Sequence, residues 1–332
     1  MDVASVFCGA GGLDLGFSRA GFSLTAAVDN NPDCCETHRR NLGGMATNRD
    51  VSGEDSFPAD VIIGGPPCQG FSVAGAMDPC DPRSQMVWEF ARIVESSRPR
   101  AFVMENVKAL ASLSRWSGVR DALRARLSEL GYSVAVHVLN AKDFGVPQSR
   151  ERVFFVGVMG DKPVPAPMPH KEAAPTARLV LSAMPPPGTP PNSLPCNARI
   201  TPAKRPVLRK SPFAGMLFNG QGRPIDLNST ANTLPASMGG NRTPIIDERA
   251  LREWREQWVV GYHARLAAGG EPVTEVPGFL RRITVAEAAA LQGFPPDFEF
   301  SGSQSSRYRQ IGNSVPPPMA EAVARSLAAA MG

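Results

Sequence analysis

The chain has 332 residues, 42% of them hydrophobic and 20% charged, and a formal net charge of +4. Its length allows one large globular domain or two of ordinary size. No apolar run approaches the roughly 20 residues that a bilayer-spanning helix needs, and the first residues lack the basic segment of a signal peptide. The six cysteines show no disulfide-type spacing, and there is neither a Cys-x-x-Cys motif nor a histidine cluster for zinc. We therefore expect a cytoplasmic protein without a metal site.

A glycine-rich turn follows the first predicted strand. Residues 3–6 predict this strand, residues 7–12 read Phe-Cys-Gly-Ala-Gly-Gly, and residues 13–20 predict a helix. Such a turn is typical of a nucleotide-type cofactor site, although a tight turn without a ligand has the same pattern. The sixth position counted from Gly9 is Asp14, and a carboxylate at this helix N-terminus would repel a pyrophosphate. The turn thus favours a cofactor without phosphates over NAD or FAD.

Two acidic residues are candidates for holding such a cofactor. Asp29 ends the second predicted strand, residues 23–28, where an acid can accept hydrogen bonds from ribose hydroxyls. Asp50, followed by Val51, could accept a hydrogen bond from an adenine amino group. For either acid the alternative is a helix N-cap, and Pro32 strengthens this alternative for Asp29.

A cysteine lies on the loop that ends the next predicted strand, residues 59–63. Two glycines let the chain leave the strand sharply, and Pro66 and Pro67 stiffen the exit before Cys68. Loops at the carboxyl ends of parallel strands carry the chemistry of α/β proteins, so Cys68 is a candidate nucleophile. A small buried hydrophobic residue is an equal alternative on this loop alone. The long loop that follows, residues 72–83, favours a functional or mobile segment.

Glu105 follows an apolar predicted strand, residues 101–104, which comes after a predicted helix at residues 85–95. It should lie at the same sheet edge as Cys68. A salt-bridged surface acid is the alternative, but the apolar strand before it favours partial burial and a raised pKa.

A pair of arginines enters a later strand. Residues 119–130 predict an amphipathic helix, and residues 132–139 and 152–158 predict the two strands that follow it. Arg150 and Arg152 lie two positions apart, so they should point the same way and reach one target together, with Glu151 on the other side. A basic surface strand is the alternative.

The middle of the chain differs in composition. Residues 163–224 hold 15 of the 32 prolines, and residues 162–242 hold ten Lys or Arg against two acids. We expect a loop-rich second domain with a polyanion-binding face, nucleic acid being the commonest polyanion. Its polar segment, residues 233–242, is of the kind that can contact a DNA groove. Trp254 and Trp258 are predicted to share one helix and to belong to the core.

Regular predicted elements of the α/β type return near the end of the chain. Thr284 is a predicted N-cap for a helix at residues 285–292. Residues 310–317 predict a stiff turn, and residues 319–330 predict a last helix.

Taken in this order, these stretches resemble the DNA (cytosine-5) methyltransferase family. The matching motifs are Phe-x-Gly-x-Gly-Gly at 7–12, Pro-Pro-Cys-Gln at 66–69, Glu-Asn-Val at 105–107, Gln-x-Arg-x-Arg at 148–152, Leu-Gln-Gly-Phe-Pro at 291–295 and Gly-Asn-Ser-Val at 312–315. The resemblance covers about residues 3–160 and 281–325, and the ordered set is far more specific than any one motif.

The resemblance implies an α/β, doubly wound, Rossmann-like domain that binds S-adenosylmethionine, with a smaller, loop-rich target-recognition domain. The catalytic domain would span residues 1–162, completed by 306–332, and the recognition domain and hinge would span 163–305. The implied cofactor residues are Phe7, Gly9, Ala10, Gly11, Gly12 and Leu13 at the methionine part, Asp29 at the ribose, Asp50 and Val51 at the adenine, Pro66, Met86, Asn313, Ser314 and Val315 along the rest, and Asn30. Some relatives carry an aromatic residue in place of Asn30.

The resemblance also implies a mechanism. The thiolate of Cys68 would add to C6 of a flipped-out cytosine, a protonated Glu105 would bind N3, and Arg152 would bind the carbonyl. Arg150 and Gln148 would support the loop. The expected DNA contacts are Gln69, Ser72, Arg83 and Arg242, with residues 72–83 closing over the DNA.

Three alternatives are weaker. A tRNA cytosine-5 methyltransferase would carry a Cys-Phe-Thr signature, which the sequence lacks. An NAD oxidoreductase disagrees with Asp14, and a catalytically inactive DNA-binding protein disagrees with an intact Cys68. We therefore expect a monomeric enzyme that acts on duplex DNA, either with a partner restriction endonuclease or as an orphan methyltransferase.

Overall fold

The computed structural model describes residues 1–51, 56–67 and 85–332. The first half of the chain forms an α/β domain. Its elements are β1 (Asp2–Val6), α1 (Gly12–Arg19), β2 (Ser23–Asp29), α2 (Pro32–Asn41), β3 (Ala46–Asn48), β4 (Val61–Gly64), α3 (Met86–Ser97), β5 (Ala101–Val107), α4 (Ala109–Ser112), α5 (Ser117–Glu129), β6 (Tyr132–Asn140), β7 (Gln148–Ser149) and β8 (Glu151–Met159).

Seven of these strands form one sheet in the order β3-β2-β1-β4-β5-β8-β6. Strands β3 to β5 are parallel, whereas β8 runs antiparallel to both β5 and β6. The connections turn back between β1 and β4, and ligands of doubly wound sheets bind at such a point, beyond the carboxyl ends of the strands. The predicted doubly wound α/β fold is confirmed, and the site is expected beyond β1 and β4.

Helices cover both faces of the sheet. On β1, Val3 packs in the layer that holds α1, while Ala4 and Val6 pack in the layer that holds α3 and α5. A strand buried on both faces reads as a continuous apolar run, which is why the sequence predicted these strands without alternation.

The C-terminal helix returns to this domain and packs on α1. Helix α11 (Pro317–Met331) buries Met319, Val323 and Leu327 against it. Gly16 makes the close approach possible, because an ideal Cβ at this position would lie 2.4 Å from the Cβ of Ala320 and 2.5 Å from the backbone nitrogen of Glu321.

We expect Gly16→Ala to lower the free energy of unfolding by about 1–3 kcal/mol, the usual cost of overpacking. Urea unfolding of the purified chain measures it. Gly118→Ala is the matched control, because Gly118 also lies in a helix of this domain but has nothing within 4 Å of its ideal Cβ. An equal effect of the two substitutions on the free energy of unfolding would show that the contact between α1 and α11 does not require a glycine at position 16.

The remainder of the chain has short elements, as its proline content predicted. They are α6 (Ala177–Ser182), β9 (Pro202–Val207), β10 (Met216–Phe218), β11 (Ala231–Asn232), β12 (Ile245–Asp247), α7 (Glu248–Glu253), α8 (Trp258–Ala267), β13 (Leu280–Arg282), α9 (Val285–Leu291) and α10 (Gln304–Asn313). Strand β11 pairs with β7, and α10 contributes Tyr308 and Ile311 to a core shared with α6 and α9. The domain boundaries at residues 162 and 306 stay a prediction.

The prediction that Trp254 and Trp258 share one helix is wrong. Helix α7 ends at Glu253, and Trp254 adopts a left-handed φ of 54° and is 67% exposed. Trp258 begins α8 and stacks on Tyr262 with ring centroids 4.7 Å apart. The two helices begin at one carboxylate, because Asp247 accepts hydrogen bonds from the backbone nitrogens of Ala250, in α7, and of Trp258, in α8.

Two boundaries near the catalytic motifs also differ from prediction. Residues 310–313 are the last turn of α10 rather than part of a stiff turn, because Ser303 caps a helix that continues to Asn313. Glu105 lies within β5 rather than after it. The N-cap at Thr284 is confirmed, with a capping box to Glu287. In the part of the chain that the structure describes, no helix is long and apolar enough to cross a membrane.

Candidate active site

A cavity of about 480 Å³ lies beyond the carboxyl ends of β1, β2, β4 and β5, and α10 forms its opposite wall. Its volume is that of a typical small-molecule site. The predicted cofactor residues that line it are Phe7, Gly9, Ala10, Gly12, Leu13, Asp29, Asn30, Asp50, Val51, Pro66, Met86, Asn313, Ser314 and Val315. Gly11 is not among the residues that line the cavity, and its role as a cofactor contact stays a prediction. Its ideal Cβ would lie 2.5 Å from Leu42, so Gly11 faces α2, with a left-handed φ of 89° that turns the chain into α1.

Asp29 connects the glycine-rich turn to the end of β2. One carboxylate oxygen accepts a hydrogen bond from the backbone nitrogen of Gly9 at 2.9 Å, and the other accepts one from Asn31 at 2.9 Å. Burial raises the pKa of the Asp29 carboxyl, and these two N–H donors oppose the rise. Asn31, not Asp29, is the N-cap of α2, so the alternative role for Asp29 is excluded.

A second acid explains why the turn disfavours phosphates. Asp14 is fully buried in the first turn of α1, and one of its carboxylate oxygens lies 3.1 Å from Nε2 of His38. A diphosphate at this helix N-terminus would lie close to both Asp14 and Asp29. The residues therefore fit a cationic, phosphate-free cofactor, whose nucleoside hydroxyls Asp29 can bind.

Gly12 sets the width of the cavity at the base of α1. Its ideal Cβ would lie 2.3 Å from the carbonyl oxygen of Val315 and 3.3 Å from the ring of Phe294. The backbone of α1 therefore touches the chain just before α11, and a side chain at Gly12 would push the two cavity walls apart.

We expect Gly12→Ala to weaken cofactor binding by about 5- to 150-fold, since an overpacking cost of about 1–3 kcal/mol corresponds to that range. Isothermal titration with S-adenosylhomocysteine measures it. Gly261→Ala is the control, because Gly261 lies in α8 and has open space around its ideal Cβ. It should leave the affinity for S-adenosylhomocysteine unchanged. Unchanged affinity in both variants would show that Gly12 does not set the cavity width.

The opposite end of the cavity holds a buried ion pair. Glu105 is only 7% exposed, and its Oε1 lies 2.9 Å from Nε of Arg152. Burial raises the pKa of Glu105, and the nearby charges of Arg152 and Arg150 oppose this rise. The predicted burial and raised pKa of Glu105 are confirmed.

The loop that leads to Cys68 is held against this pair. The ideal Cβ of Gly65 would lie 3.3 Å from Oε2 of Glu105, and Nδ2 of the buried Asn106 donates to the carbonyl of Pro66 at 3.3 Å. Pro66 and Pro67 also border the cavity. The end of β4 and the end of β5 are thus fastened together, as their positions in the sheet predicted.

The hydrogen bonds described for Arg150 and Arg152 go to different groups, and the expectation that both arginines reach one target stays a prediction. The strand is interrupted at Arg150, because residues 148–149 pair with β11 and residues 151–159 pair with β5 and β6. Arg150 is fully buried and donates to the carbonyls of Leu234 and Gly312 at 3.2 and 2.7 Å. Arg152 contacts Glu105, while the exposed Glu151 pairs with Lys108.

Four predicted residues fall outside the described ranges, namely Cys68, Gln69, Ser72 and Arg83. Arg242 is exposed in the segment 233–242, where its guanidinium lies 3.4 Å from the hydroxyl of Ser237. Gln148 is fully buried and accepts a hydrogen bond from the backbone nitrogen of Leu234 at 3.0 Å.

The cavity also has lining residues that sequence reasoning missed. They are Ser5, Cys8, Asp14, Asn31, Cys34, Arg49, Gly65, Pro67, Val107, Ser306, Arg309, Gln310 and Gly312. Cys34 and Arg309 face each other from α2 and α10, and burial raises the pKa of the Cys34 thiol while Arg309 opposes the rise. The spacing of four residues between Asn30 and Cys34 could have suggested that Cys34 also lines the cavity. Nothing in the sequence indicates that α10 lies opposite α2. Among the described residues, no group of three or more His, Cys, Asp or Glu is placed to hold a metal ion.

Comparison with known proteins agrees with this geometry. A profile of the C-5 cytosine-specific DNA methylases matches residues 1–329. The type II methyltransferase M1.HphI of Haemophilus parahaemolyticus is 34% identical, over 97% of this chain and 85% of that protein. The type II methyltransferase M.MthTI of Methanothermobacter thermautotrophicus is 32% identical, over 98% and 97%. The crystal structure of the S. pombe Dnmt2 methyltransferase has the same fold, with a TM-score of 0.68 at 19% identity, over 99% of this chain and 98% of that one.

Enzymes of this family take their methyl group from S-adenosyl-L-methionine, a cationic cofactor without phosphate, and the residues of the cavity fit it. With a profile match along nearly the whole sequence, the chain belongs to the C-5 cytosine-specific DNA methylase family and is a DNA (cytosine-5) methyltransferase.

Proposed function

We propose that this enzyme methylates C5 of a flipped-out cytosine within a specific duplex DNA sequence, through a covalent bond between Cys68 and C6. The observation that carries the proposal is the buried Glu105–Arg152 pair, which borders the same cavity as Asp29 and adjoins the loop that leads to Cys68. This arrangement brings an acid, a cation and a nucleophile-bearing loop to one sheet edge.

C5 of cytosine is a weak nucleophile, so the ring must first gain electron density. Addition of the Cys68 thiolate to C6 converts C5 into an enamine-type carbon. A neutral Glu105 stabilises this addition by donating a hydrogen bond or proton to N3, and Arg152 binds the O2 carbonyl. The raised pKa of Glu105 supports this role.

When bound, S-adenosyl-L-methionine would supply the methyl group: C5 would gain it as the sulfonium S–CH₃ bond breaks, and S-adenosylhomocysteine would be left as the neutral thioether. A base then removes the proton from C5, and the electron pair expels the Cys68 thiolate and restores the aromatic ring. Asp29 holds the ribose, Asp50 and Val51 meet the adenine, and residues 7–13 hold the methionine part. Asn30 stands where an aromatic residue would stack on the adenine in some relatives.

None of this chemistry is accessible inside a stacked duplex, so the target base must leave the helix. The basic segment 162–242 lies in the proposed recognition domain, residues 163–305, and Arg242 is exposed on it. We propose that Gln69, Ser72, Arg83 and Arg242 contact the DNA and that residues 72–83 close over it.

The biological setting is proposed from the relatives. Two of those reported above, from Haemophilus parahaemolyticus and Methanothermobacter thermautotrophicus, are named type II methyltransferases. We propose that this chain acts as a cytoplasmic monomer, and that it protects the recognition site of a partner endonuclease or acts as an orphan methyltransferase.

The test is to incubate the chain with isotopically labelled S-adenosylmethionine and duplex DNA, followed by bisulfite sequencing. The expected result is protection of one cytosine in a fixed sequence context. A parallel reaction with a tRNA pool is the control for the alternative substrate. Label on RNA alone, or on no cytosine of any duplex tested, would overturn the proposal.

A further inference from the structure

Two side-chain amides connect the segment 233–242, hereafter the recognition loop, to the cofactor cavity. The backbone nitrogen of Leu234 donates to Oε1 of Gln148 at 3.0 Å. Nε2 of Gln148 donates to Oε1 of Gln292 at 2.6 Å, and Nε2 of Gln292 donates to the carbonyl of Ser314 at 2.6 Å. Ser314 lines the cavity, and both glutamines are fully buried.

The direction of this chain of hydrogen bonds is fixed at both ends. The nitrogen of Leu234 can only donate, so Gln148 must present its oxygen to it and its NH₂ group to Gln292. The carbonyl of Ser314 can only accept, so Gln292 must present its NH₂ group to it. Each amide therefore has one allowed orientation, and the recognition loop has one position relative to the cavity wall.

A second connection runs beside the first. The guanidinium of Arg150 donates to the carbonyls of Leu234 and Gly312, so side chains hold both peptide groups of Leu234. Gly312 also touches the loop directly, because its ideal Cβ would lie 2.6 Å from the carbonyl of Pro235 and from the nitrogen of Ala236.

Helix α10 is thus a wall common to two sites. Five of its residues line the cofactor cavity, namely Ser306, Arg309, Gln310, Gly312 and Asn313. The recognition loop lies against it at Gly312 and at Ser305, whose Cα would be 3.0 Å from a Cβ on Gly239. A ligand that orders this wall therefore restricts the recognition loop as well.

We propose that Gln292 is a positioning residue for DNA recognition, which acts through Gln148 and makes cofactor binding and duplex binding reinforce each other. Such reinforcement is reciprocal, and couplings between sites usually amount to about 5- to 150-fold in affinity. The inference rests on the proposed contact of the recognition loop with DNA.

The experiment measures the Kd of the full chain for a duplex carrying its target site, with and without saturating S-adenosylhomocysteine. In the wild type we expect the ligand to tighten duplex binding, and in Gln292→Met we expect the ratio of the two constants to fall close to 1. Methionine keeps the volume but removes the donor to Ser314 and the acceptor for Gln148. The double variant, with Gln148→Met and Gln292→Met, should have the same ratio of Kd values as either single variant. Each of the three variants breaks the same series of hydrogen bonds, so their effects should not add.

Gln257→Met is the matched control. Gln257 is also a buried glutamine that holds backbone groups, accepting from Leu227 at 2.9 Å and donating to Ile225 at 2.8 Å, but these bonds lie within the recognition region. Gln257→Met should lower the free energy of unfolding about as much as Gln292→Met does, and it should leave the ratio of the two Kd values unchanged. A purely structural role for Gln292 would give the two variants the same ratio as the wild type, which would overturn the proposal.

Hydrogen–deuterium exchange of the wild type gives a readout that needs no variant. S-Adenosylhomocysteine should slow exchange in a peptide that contains the Leu234 amide, and no slowing there would overturn the proposal even if Gln292→Met does not fold. Neither measurement involves methyl transfer. A chain that methylates no cytosine would count against the proposed function, whereas an active chain without coupling would count against this inference.

Discussion

Cys68→Ala is expected to reduce methyl transfer by at least about 10⁴-fold, as removal of a catalytic nucleophile usually does, while duplex binding persists. Without the thiolate, C5 keeps the low nucleophilicity of an aromatic ring carbon, and neither Glu105 nor Arg152 can replace the lost bond to C6. The measurement is single-turnover methylation at saturating enzyme, together with the Kd for the duplex.

Cys196→Ala is the control, because Cys196 is a half-buried thiol in the proposed recognition region, 3.7 Å from the hydroxyl of Thr243. It should remain active. A duplex with 5-fluorocytosine at the target adds a direct test, since the C5 fluorine cannot leave as the proton does. The wild type should remain attached to it on a denaturing gel and Cys68→Ala should not. Methylation by Cys68→Ala at the wild-type rate would remove Cys68 from the mechanism.

Glu105→Gln should lower kcat by about 10²- to 10⁴-fold, the range for loss of a general acid. The amide still donates a hydrogen bond but cannot transfer a proton to N3. Burial raises the pKa of Glu105, so the wild-type rate should fall as the pH rises through that raised value and Glu105 ionises. The Gln variant should show no such fall.

The same group should make stability depend on pH. Because the pKa of Glu105 is higher in the folded chain, its contribution to stability is complete below its ordinary pKa and is lost as the pH rises through the raised value. Glu151→Gln is the matched control for rate and stability, since Glu151 is exposed and pairs with Lys108. Equal pH profiles for Glu105→Gln and the wild type would exclude Glu105 as the titrating acid.

Local patterns predicted the parts of this fold that depend on neighbouring residues. The two-sided burial of β1, the cap at Thr284 and the acid at the end of β2 are each signalled within a few positions of the chain. The position of Glu105 beside the loop that leads to Cys68 could be predicted from strand order, because the carboxyl ends of parallel strands lie at one edge of the sheet.

Contacts between distant residues could not be predicted in this way. Asp247 accepts hydrogen bonds from two helices, and only the folded chain shows that the second one begins at Trp258. The partner of Gln292 is 144 positions away, and a single buried glutamine has no sequence signature. For Arg150, spacing predicted a common direction with Arg152, but the break between β7 and β8 sends it to the recognition loop instead.

Because β8 runs antiparallel to β5, the residues at the beginning of β8 lie at the edge of the sheet that borders the cavity. In a parallel strand, the residues that follow the strand would face the cavity. Here it is Arg152, near the beginning of β8, that reaches Glu105 near the end of β5. Reversing β8 would carry this arginine the length of nine residues, roughly 25–30 Å, to the far edge of the sheet. The direction of β8 therefore determines whether this arginine can pair with Glu105, and an engineer who transplants the proposed active site must copy that direction along with the side chains.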